Sequence, residues 1–434
     1  MSIASSVMLA SGMCTGASAL WWLRSLAARG AGLQPAGDAR EVVAGAPVEL
    51  RTAVFVVTDS AQLSLMWPAV GLGSWDTGFP NVLSATYTPF GMSVDVQMLG
   101  GHKLKDWTNE DTLDALAQYF GVPAITATGA GPGFVRLDLR VYDTLADAVA
   151  PPMVAFWDGV DLEAVPTGVF EDGEVWTVPV QGRHVLIAGG MGSGKSTVLH
   201  SLVKGMGPAI RSGRVDLRLI DPKGRMELGH LEPLCTQFAH TEPEFMIAQL
   251  EATVADMKAA ADRYGQDGVR KPVPTPDNPL VVTIIDEAAV LSAFTTSELR
   301  NRFEHAHGQL LSQGRAPLFS VIETVIDPSK DTVPQRQLLP YRIGMRMDEP
   351  TQVAMIHGQG ARERGSRCDE IPHSTPGVCY VQEDGKPGFR RARAFHITNA
   401  DIDWIVKQYT PLPRPVNLTD FDGFGGFDDG PVAA

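Results

Sequence analysis

Along the C-terminal half of the chain, apolar residues fall into two alternating patterns. Short, mostly apolar runs at Val185 to Ala188, Leu217 to Ile220, Leu280 to Ile285, Leu318 to Ile322 and Arg342 to Met347 have the length and continuity of strands covered on both faces. Between them, apolar residues recur three and four apart. Met246, Leu250, Val254, Met257, Ala261 and Tyr264 trace one long helix, and Leu299, Phe303, Ala306 and Leu310 trace a second that Gly314 is placed to end. Strands alternating with amphipathic helices predict an α/β domain, a parallel sheet with helices on both faces. The stripes themselves are core.

The N-terminal half patterns differently. Ser84 to Phe90, Met92 to Leu99 and Phe134 to Val141 read as strands, and Asn109 to Phe120 reads as a helix. The expectation is a small α/β unit, a sheet with one covering helix. Ala31 to Gly45, rich in Gly, Ala and Pro, reads as a linker, while Pro151, Pro152 and the acidic stretch Asp158 to Glu174 mark passage to the second domain. The expected organisation is a candidate membrane-anchor helix at 1–30, a linker at 31–47, the small α/β domain at 48–150, a connecting segment at 151–179, the larger domain at 180–410 and an acidic flexible tail at 411–434. No internal repeat is present, and only Asp420 to Gly430 has a disorder-type composition.

Composition refines this picture. With 434 residues and 44% apolar content, the chain can form two or three cored domains. Cys14, Cys235, Cys368 and Cys379 are far apart and form no CxxC pair, which argues against a zinc site or a disulfide framework and fits a reducing cytosol. The net charge of -14 is uneven: residues 1–179 carry 8 basic and 19 acidic groups, residues 180–410 carry 27 of each, and the tail is acidic. A neutral larger domain neither predicts nor excludes a polyanionic partner. Residues 2–23 carry no charge and are closed by Trp21, Trp22 and Arg24, with Arg29 following. That is the length of a bilayer-spanning helix with positive charge on the side leading to the larger domain. The stretch is also rich in Ser, Gly and Ala, so an apolar helix packed on protein is the alternative.

The chemistry is carried by two segments. After the first strand comes Gly189-Gly190-Met191-Gly192-Ser193-Gly194-Lys195-Ser196, which fits GxxxxGK[ST] between a strand and a helix. Glycines there let backbone N–H groups turn inward around phosphates at a helix N-terminus. With Thr197 next on the helix, residues 189–197 are the candidate nucleotide-binding set. Lys195 would bridge the β- and γ-phosphates and Ser196 would hold magnesium. The strand Leu280 to Ile285 delivers Asp286 and Glu287 at its end, Asp286 for the magnesium shell and Glu287 to polarise the attacking water. An ordinary strand ending in solvated acids is the alternative, which the upstream P-loop disfavours.

These segments, with Ile220-Asp221-Pro222-Lys223-Gly224, Gln313-Gly314-Arg315, Pro340 to Met347 followed by Asp348-Glu349-Pro350, and Gly360-Ala361-Arg362-Glu363-Arg364-Gly365, occur in the order seen in FtsK/SpoIIIE-type DNA translocases. The chain resembles the short actinobacterial members of that family encoded by plasmids, integrative elements and phages, well over His184 to Ile397 and loosely before it. The resemblance implies a P-loop NTPase motor with a RecA-like parallel sheet. It implies ATP and Mg2+ as cofactors, double-stranded DNA as partner, and a self-assembled ring, usually a hexamer, in DNA transfer or segregation. It also implies an arginine contributed in trans, for which Arg342 and Arg315 are the candidates. Members of this family usually place a polar sensor where this chain has Ile326; Thr324 or Glu323 would then substitute from a shifted register. No winged-helix pattern follows the motor, so sequence reading by an appended module is not expected. Two further readings stand beside the translocase: an FtsK-like ATPase for protein export, and a nucleotide-binding assembly scaffold. His305 and His307 lack metal-ligand spacing and read as solvated, and Arg390, Arg391 and Arg393 read as a solvated basic face.

Overall fold

The computed structural model describes residues 39–152, 159–382 and 388–411. The small domain opens with three helices, α1 (Ala39–Ala44), α2 (Arg51–Thr58) and α3 (Ser60–Ala69). Strands β1 (Asn81–Thr88) and β2 (Gly91–Gln97), helices α4 (Leu104–Thr108) and α5 (Glu110–Phe120), and strands β3 (Ala124–Gly131) and β4 (Phe134–Arg140) follow. All pairings are antiparallel, in the order β1-β2-β4-β3. Strand alternation turns Met92, Val94, Val96, Val135, Leu137 and Leu139 toward Trp67, Trp107, Leu116 and Phe120, and all are buried. The expectation of one covering helix is corrected: α2 and α3 pack into the same core. Their sequences are apolar nearly all round or too short to show a period, and β3, apart from Ile125, is built of Ala, Thr and Gly, so neither carries the usual signals.

The larger domain is a ten-stranded sheet. Its elements in chain order are β5 (Val165–Phe170), β6 (Val175–Val178), β7 (Val185–Ala188), α6 (Lys195–Arg211), β8 (Val215–Ile220), β9 (Gln237–Ala239), α7 (Pro243–Gln266), β10 (Leu280–Ile285), α8 (Ala289–Ser292), α9 (Ser297–Gln313), β11 (Phe319–Val325), β12 (Tyr341–Met345), α10 (Pro350–His357), β13 (Val378–Val381), β14 (Arg390–Ala394) and α11 (Asn399–Tyr409). The spatial order is β6-β5-β14-β13-β12-β7-β11-β10-β8-β9; the six strands from β12 to β9 are parallel and the other four antiparallel. Successive strand residues serve opposite cores. Val185, Ile187, Leu217, Val282 and Ile284 pack against α6 and α11, while Leu186, Ala188, Val281, Ile285 and Val325 pack against α7 and α9. The helices α6 and α11 approach so closely that a Cβ on Gly207 would lie 2.1 Å from the Tyr409 ring.

Three expectations need correction here. The 151–179 connector is not merely a connector, because β5 and β6 within it extend the ten-stranded sheet. The basic cluster is not a solvated face: Arg390 pairs with Asp172 and Glu174, Arg391 with Asp143 at 2.6 Å, and Arg393 is buried, donating to the Leu145 and Ala146 carbonyls. With the Arg140–Glu171 pair, Arg391 and Arg393 tie the small domain's exit segment to the larger domain. His307 is not solvated either; it is buried with Nε2 2.9 Å from Glu323 Oε2, while His305 is exposed. Cys235, Cys368 and Cys379 are free thiols. Among the described residues no helix is long and apolar enough to cross a membrane. The candidate anchor at residues 2–23 and most of the tail lie outside the described residues.

Three buried histidines should make the larger domain acid-sensitive. His184 accepts the Val321 N–H at Nδ1 (3.0 Å), His200 Nε2 lies 2.8 Å from His230 Nε2, and His357 Nδ1 meets Ser366 Oγ at 2.7 Å. Burial pushes their pKa values from 6.5 down to about 4, about 4 and about 3. Between pH 6.5 and about 4 the unfolded chain therefore binds protons that the folded chain refuses. Their contribution to stability is full above pH 6.5 and is lost as pH falls, by about 1.4 kcal/mol per pH unit for each histidine. Urea midpoints should drop steadily from pH 7 to pH 5; a flat midpoint over that interval contradicts the assignment.

Candidate nucleotide site

The parallel strands bring their C-terminal ends to one edge of the sheet, where open α/β sheets bind ligands. β7 ends at the Gly189–Ser193 loop, β10 at Asp286 and Glu287, β11 at Ile326, β12 at Arg346, and β8 at Asp221 and the loop carrying Lys223 and Glu227. The β11 strand lies between β7 and β10, so the P-loop and the acidic pair face each other across one strand.

The P-loop conformation follows from its glycines. Gly192 and Gly194 have φ of 70° and 97°, a region unfavourable to other residues. Gly194 also packs so tightly that a Cβ would lie 2.4 Å from the Gly377 nitrogen. The loop is braced from outside: Gly377 N–H donates to the Ser193 carbonyl (2.9 Å), Gly190 N–H to the Arg346 carbonyl (2.8 Å), and the buried Arg346 guanidinium to the Met191 carbonyl. Lys195, at the start of α6, is buried and donates from Nζ to the Gly189 and Gly190 carbonyls at 2.8 and 3.3 Å. Burial lowers its pKa, against the pull of Glu287. Ser196 donates from Oγ to Glu227 Oε2 at 2.8 Å.

Asp286 and Glu287 are held individually. Asp286 accepts from Thr324 Oγ1 (2.7 Å) at Oδ1 and forms an ion pair with Lys223 Nζ (2.9 Å) at Oδ2. Burial alone would lower the Lys223 pKa, but Asp286 beside it outweighs this and raises it. Glu287 sits at φ 56°, a left-handed conformation that costs a non-glycine residue about 1 kcal/mol or more. Its N–H donates to Thr324 Oγ1 (3.0 Å), and its Oε1 accepts the Ile326 N–H (3.2 Å). Its buried Oε2 has no hydrogen-bond partner among the described residues. Burial raises the Glu287 pKa above the ordinary carboxylate value, and the Ile326 N–H and Lys195 offset only part of that. A strained, desolvated carboxylate with one free oxygen is suited to orienting water and taking its proton.

The set fits a magnesium nucleotide. Left-handed glycine turns at a helix N-terminus, a buried lysine and an orphaned carboxylate oxygen match the needs of phosphates, charge neutralisation and an attacking water. Among the described residues no group of three or more His, Cys, Asp or Glu could hold a metal alone.

The structure brings residues 189–197, Asp286 and Glu287 together. Arg342 and Arg315 lie at the opposite, N-terminal edge of the sheet. Arg342 donates to the Arg336, Leu339 and Ile356 carbonyls of its own chain, whereas Arg315 is exposed and donates from Nε to the Gly182 carbonyl. Thr324 braces both acids, Glu323 faces His307, and the Ile326 main-chain N–H donates to Glu287. Sequence reasoning did not assign roles to Lys223, Glu227 or Arg346. The signal for the first two was a second strand ending in an acidic residue, Asp221, on the same edge.

Residues 162–278 match the model of the FtsK/SpoIIIE family. Curated relatives include a protein named DNA translocase FtsK of Lactiplantibacillus plantarum, 29% identical over 51% of this chain and 29% of that protein. Its namesake in Corynebacterium efficiens is 26% identical over 66% of this chain and 31% of the relative. The chain spans about a third or less of the length of these relatives. Among solved structures, the pCW3 conjugation coupling protein TcpA in its monomer form with ATPgS is similar with a TM-score of 0.52 and 17% identity, over 80% of this chain and 98% of that one. EssC (ATPases 2 and 3) from Geobacillus thermodenitrificans is similar with a TM-score of 0.50 and 15% identity, over 64% of this chain and 56% of that one. These likenesses show the fold of P-loop ATPase motor domains. The chain therefore has the fold of P-loop ATPase motor domains, and its residues 162–278 form a segment of the FtsK/SpoIIIE type.

Proposed function

We propose that this ATPase is a motor that moves double-stranded DNA, working as a ring of identical subunits, a hexamer by the family resemblance, in DNA transfer or segregation. The observation that carries the reading is the single sheet edge where the P-loop, Asp286 and the strained Glu287 converge; the curated relatives named DNA translocase support the choice of DNA. Ser196 and Asp286 are the residues that would hold magnesium, which supplies positive charge to the phosphates when bound. Lys195 neutralises phosphate charge, and Glu287 orients water for attack and accepts its proton. Thr324 fixes both acids. Arg315, exposed and with one donor engaged, is better disposed than Arg342 to serve a neighbouring subunit. Residues 2–23 are the candidate membrane anchor, with Arg24 and Arg29 following as its cytosolic positive charges; an apolar helix packed on protein is the alternative. A protein-export motor or a scaffold would share this site, so the substrate decides between them.

DNA contacts in such a ring would be phosphate contacts, which carry no sequence information. Fluorescence anisotropy with duplexes of unrelated sequence should give equal affinities for the oligomer. Those affinities should fall as salt rises, with a log–log slope of about -0.9 per phosphate neutralised. Absence of duplex binding by the oligomer at low salt would remove DNA as the substrate.

A further inference from the structure

The magnesium role assigned above uses Ser196 and Asp286, and the geometry ties a third residue to them. A serine hydroxyl has one proton and two lone pairs, so giving its proton to an acceptor fixes the rotor and leaves its lone pairs turned toward a cation. Asp286 is not that acceptor here. Its Oδ1 takes the Thr324 hydroxyl at 2.7 Å and its Oδ2 faces the Lys223 ammonium at 2.9 Å. The Ser196 proton goes instead to Glu227 Oε2 at 2.8 Å.

Glu227 is held in that position from β8. Asp221 at the end of the strand is fully buried and accepts the Lys223 N–H at 3.0 Å and the Leu228 N–H at 3.1 Å. One carboxylate therefore clamps both ends of the 223–228 segment. From this clamp Lys223 reaches Asp286 and Glu227 reaches Ser196, so a cationic group already lies against the carboxylate assigned to magnesium. Resting on the nucleotide reading, we propose that Glu227 is a positioning residue of the magnesium site, accepting the Ser196 proton so that the hydroxyl oxygen is turned toward the ion.

The test separates metal-dependent from metal-free nucleotide binding. A fluorescent, non-hydrolysable ATP analogue is titrated into the full chain with EDTA and then with Mg2+, and the magnesium-dependent gain in affinity is compared between variants. Glu227→Ala should lower that gain by about 10- to 100-fold, the range for groups that orient metal ligands, with little change in EDTA. Glu227→Gln, whose amide oxygen can still accept the proton, should keep most of it. In a Ser196→Ala background, Glu227→Ala should add no further loss. A parental gain in Glu227→Ala, an equal loss in Glu227→Gln, or an additive loss in the Ser196→Ala background would each overturn the proposal. A parent that binds no nucleotide even in EDTA would instead remove the nucleotide reading beneath it.

Discussion

Glu287→Gln should bind nucleotide as the parent does and lose turnover by a factor of about 10²–10⁴, the contribution of a positioned general base. The substitution preserves size, the left-handed backbone at φ 56° and the acceptor for the Ile326 N–H at 3.2 Å. What it removes is the basicity of a desolvated carboxylate whose Oε2 is buried without a hydrogen-bond partner among the described residues. Because burial raises the Glu287 pKa above the ordinary 4.5, the acid limb of the parent's pH–rate profile should lie above that value, with activity lost as pH falls through it. Single-turnover hydrolysis at the parental rate in Glu287→Gln would show that another group activates water.

Lys195→Ala should lose nucleotide affinity first and hydrolysis with it. The ammonium is buried against the Gly189 and Gly190 carbonyls, so it is already desolvated and aimed along the inside of the loop that would receive phosphates. Each charge-assisted hydrogen bond lost is worth about 1.5–3 kcal/mol, which corresponds to a fall in affinity of about 10- to 100-fold or more. The loop should survive, since Gly377, Arg346 and the glycine turns hold it independently of the lysine. Titration with a fluorescent nucleotide checks the affinity, and an unchanged thermal midpoint shows that the fold is intact. Parental affinity in Lys195→Ala would contradict the phosphate assignment.

Much of the motor was legible because its strands are buried on both faces and therefore read as continuous apolar runs, with chemistry appended at their ends. Gly189 to Ser196 and Asp286-Glu287 stood out for that reason. What escaped notice depends on pairing between distant segments. β5 and β6 are short and contain Pro166 and Gly168, and only the partnership of β5 with β14 makes the pair part of the sheet. Arg390, Arg391 and Arg393 looked like a charged surface because their partners lie more than 200 residues earlier in the chain. Ile326 steadies Glu287 through its backbone N–H, a contact that no side-chain pattern signals. Glu227 was hidden because its role depends on Asp221 folding the following loop back over α6.

In the proposed function, the site at the sheet edge drives movement on DNA. ATP turnover by the assembled oligomer should rise with the concentration of double-stranded DNA of any sequence, and the stimulation should weaken when the salt concentration is raised, as counterion release requires. The measurement is the ATPase rate against duplex concentration at a low and a high salt concentration, with Glu287→Gln as the baseline. Saturable stimulation at low salt that shrinks at high salt is the result predicted; a rate indifferent to DNA at low salt would contradict the translocase reading and favour a protein-export substrate.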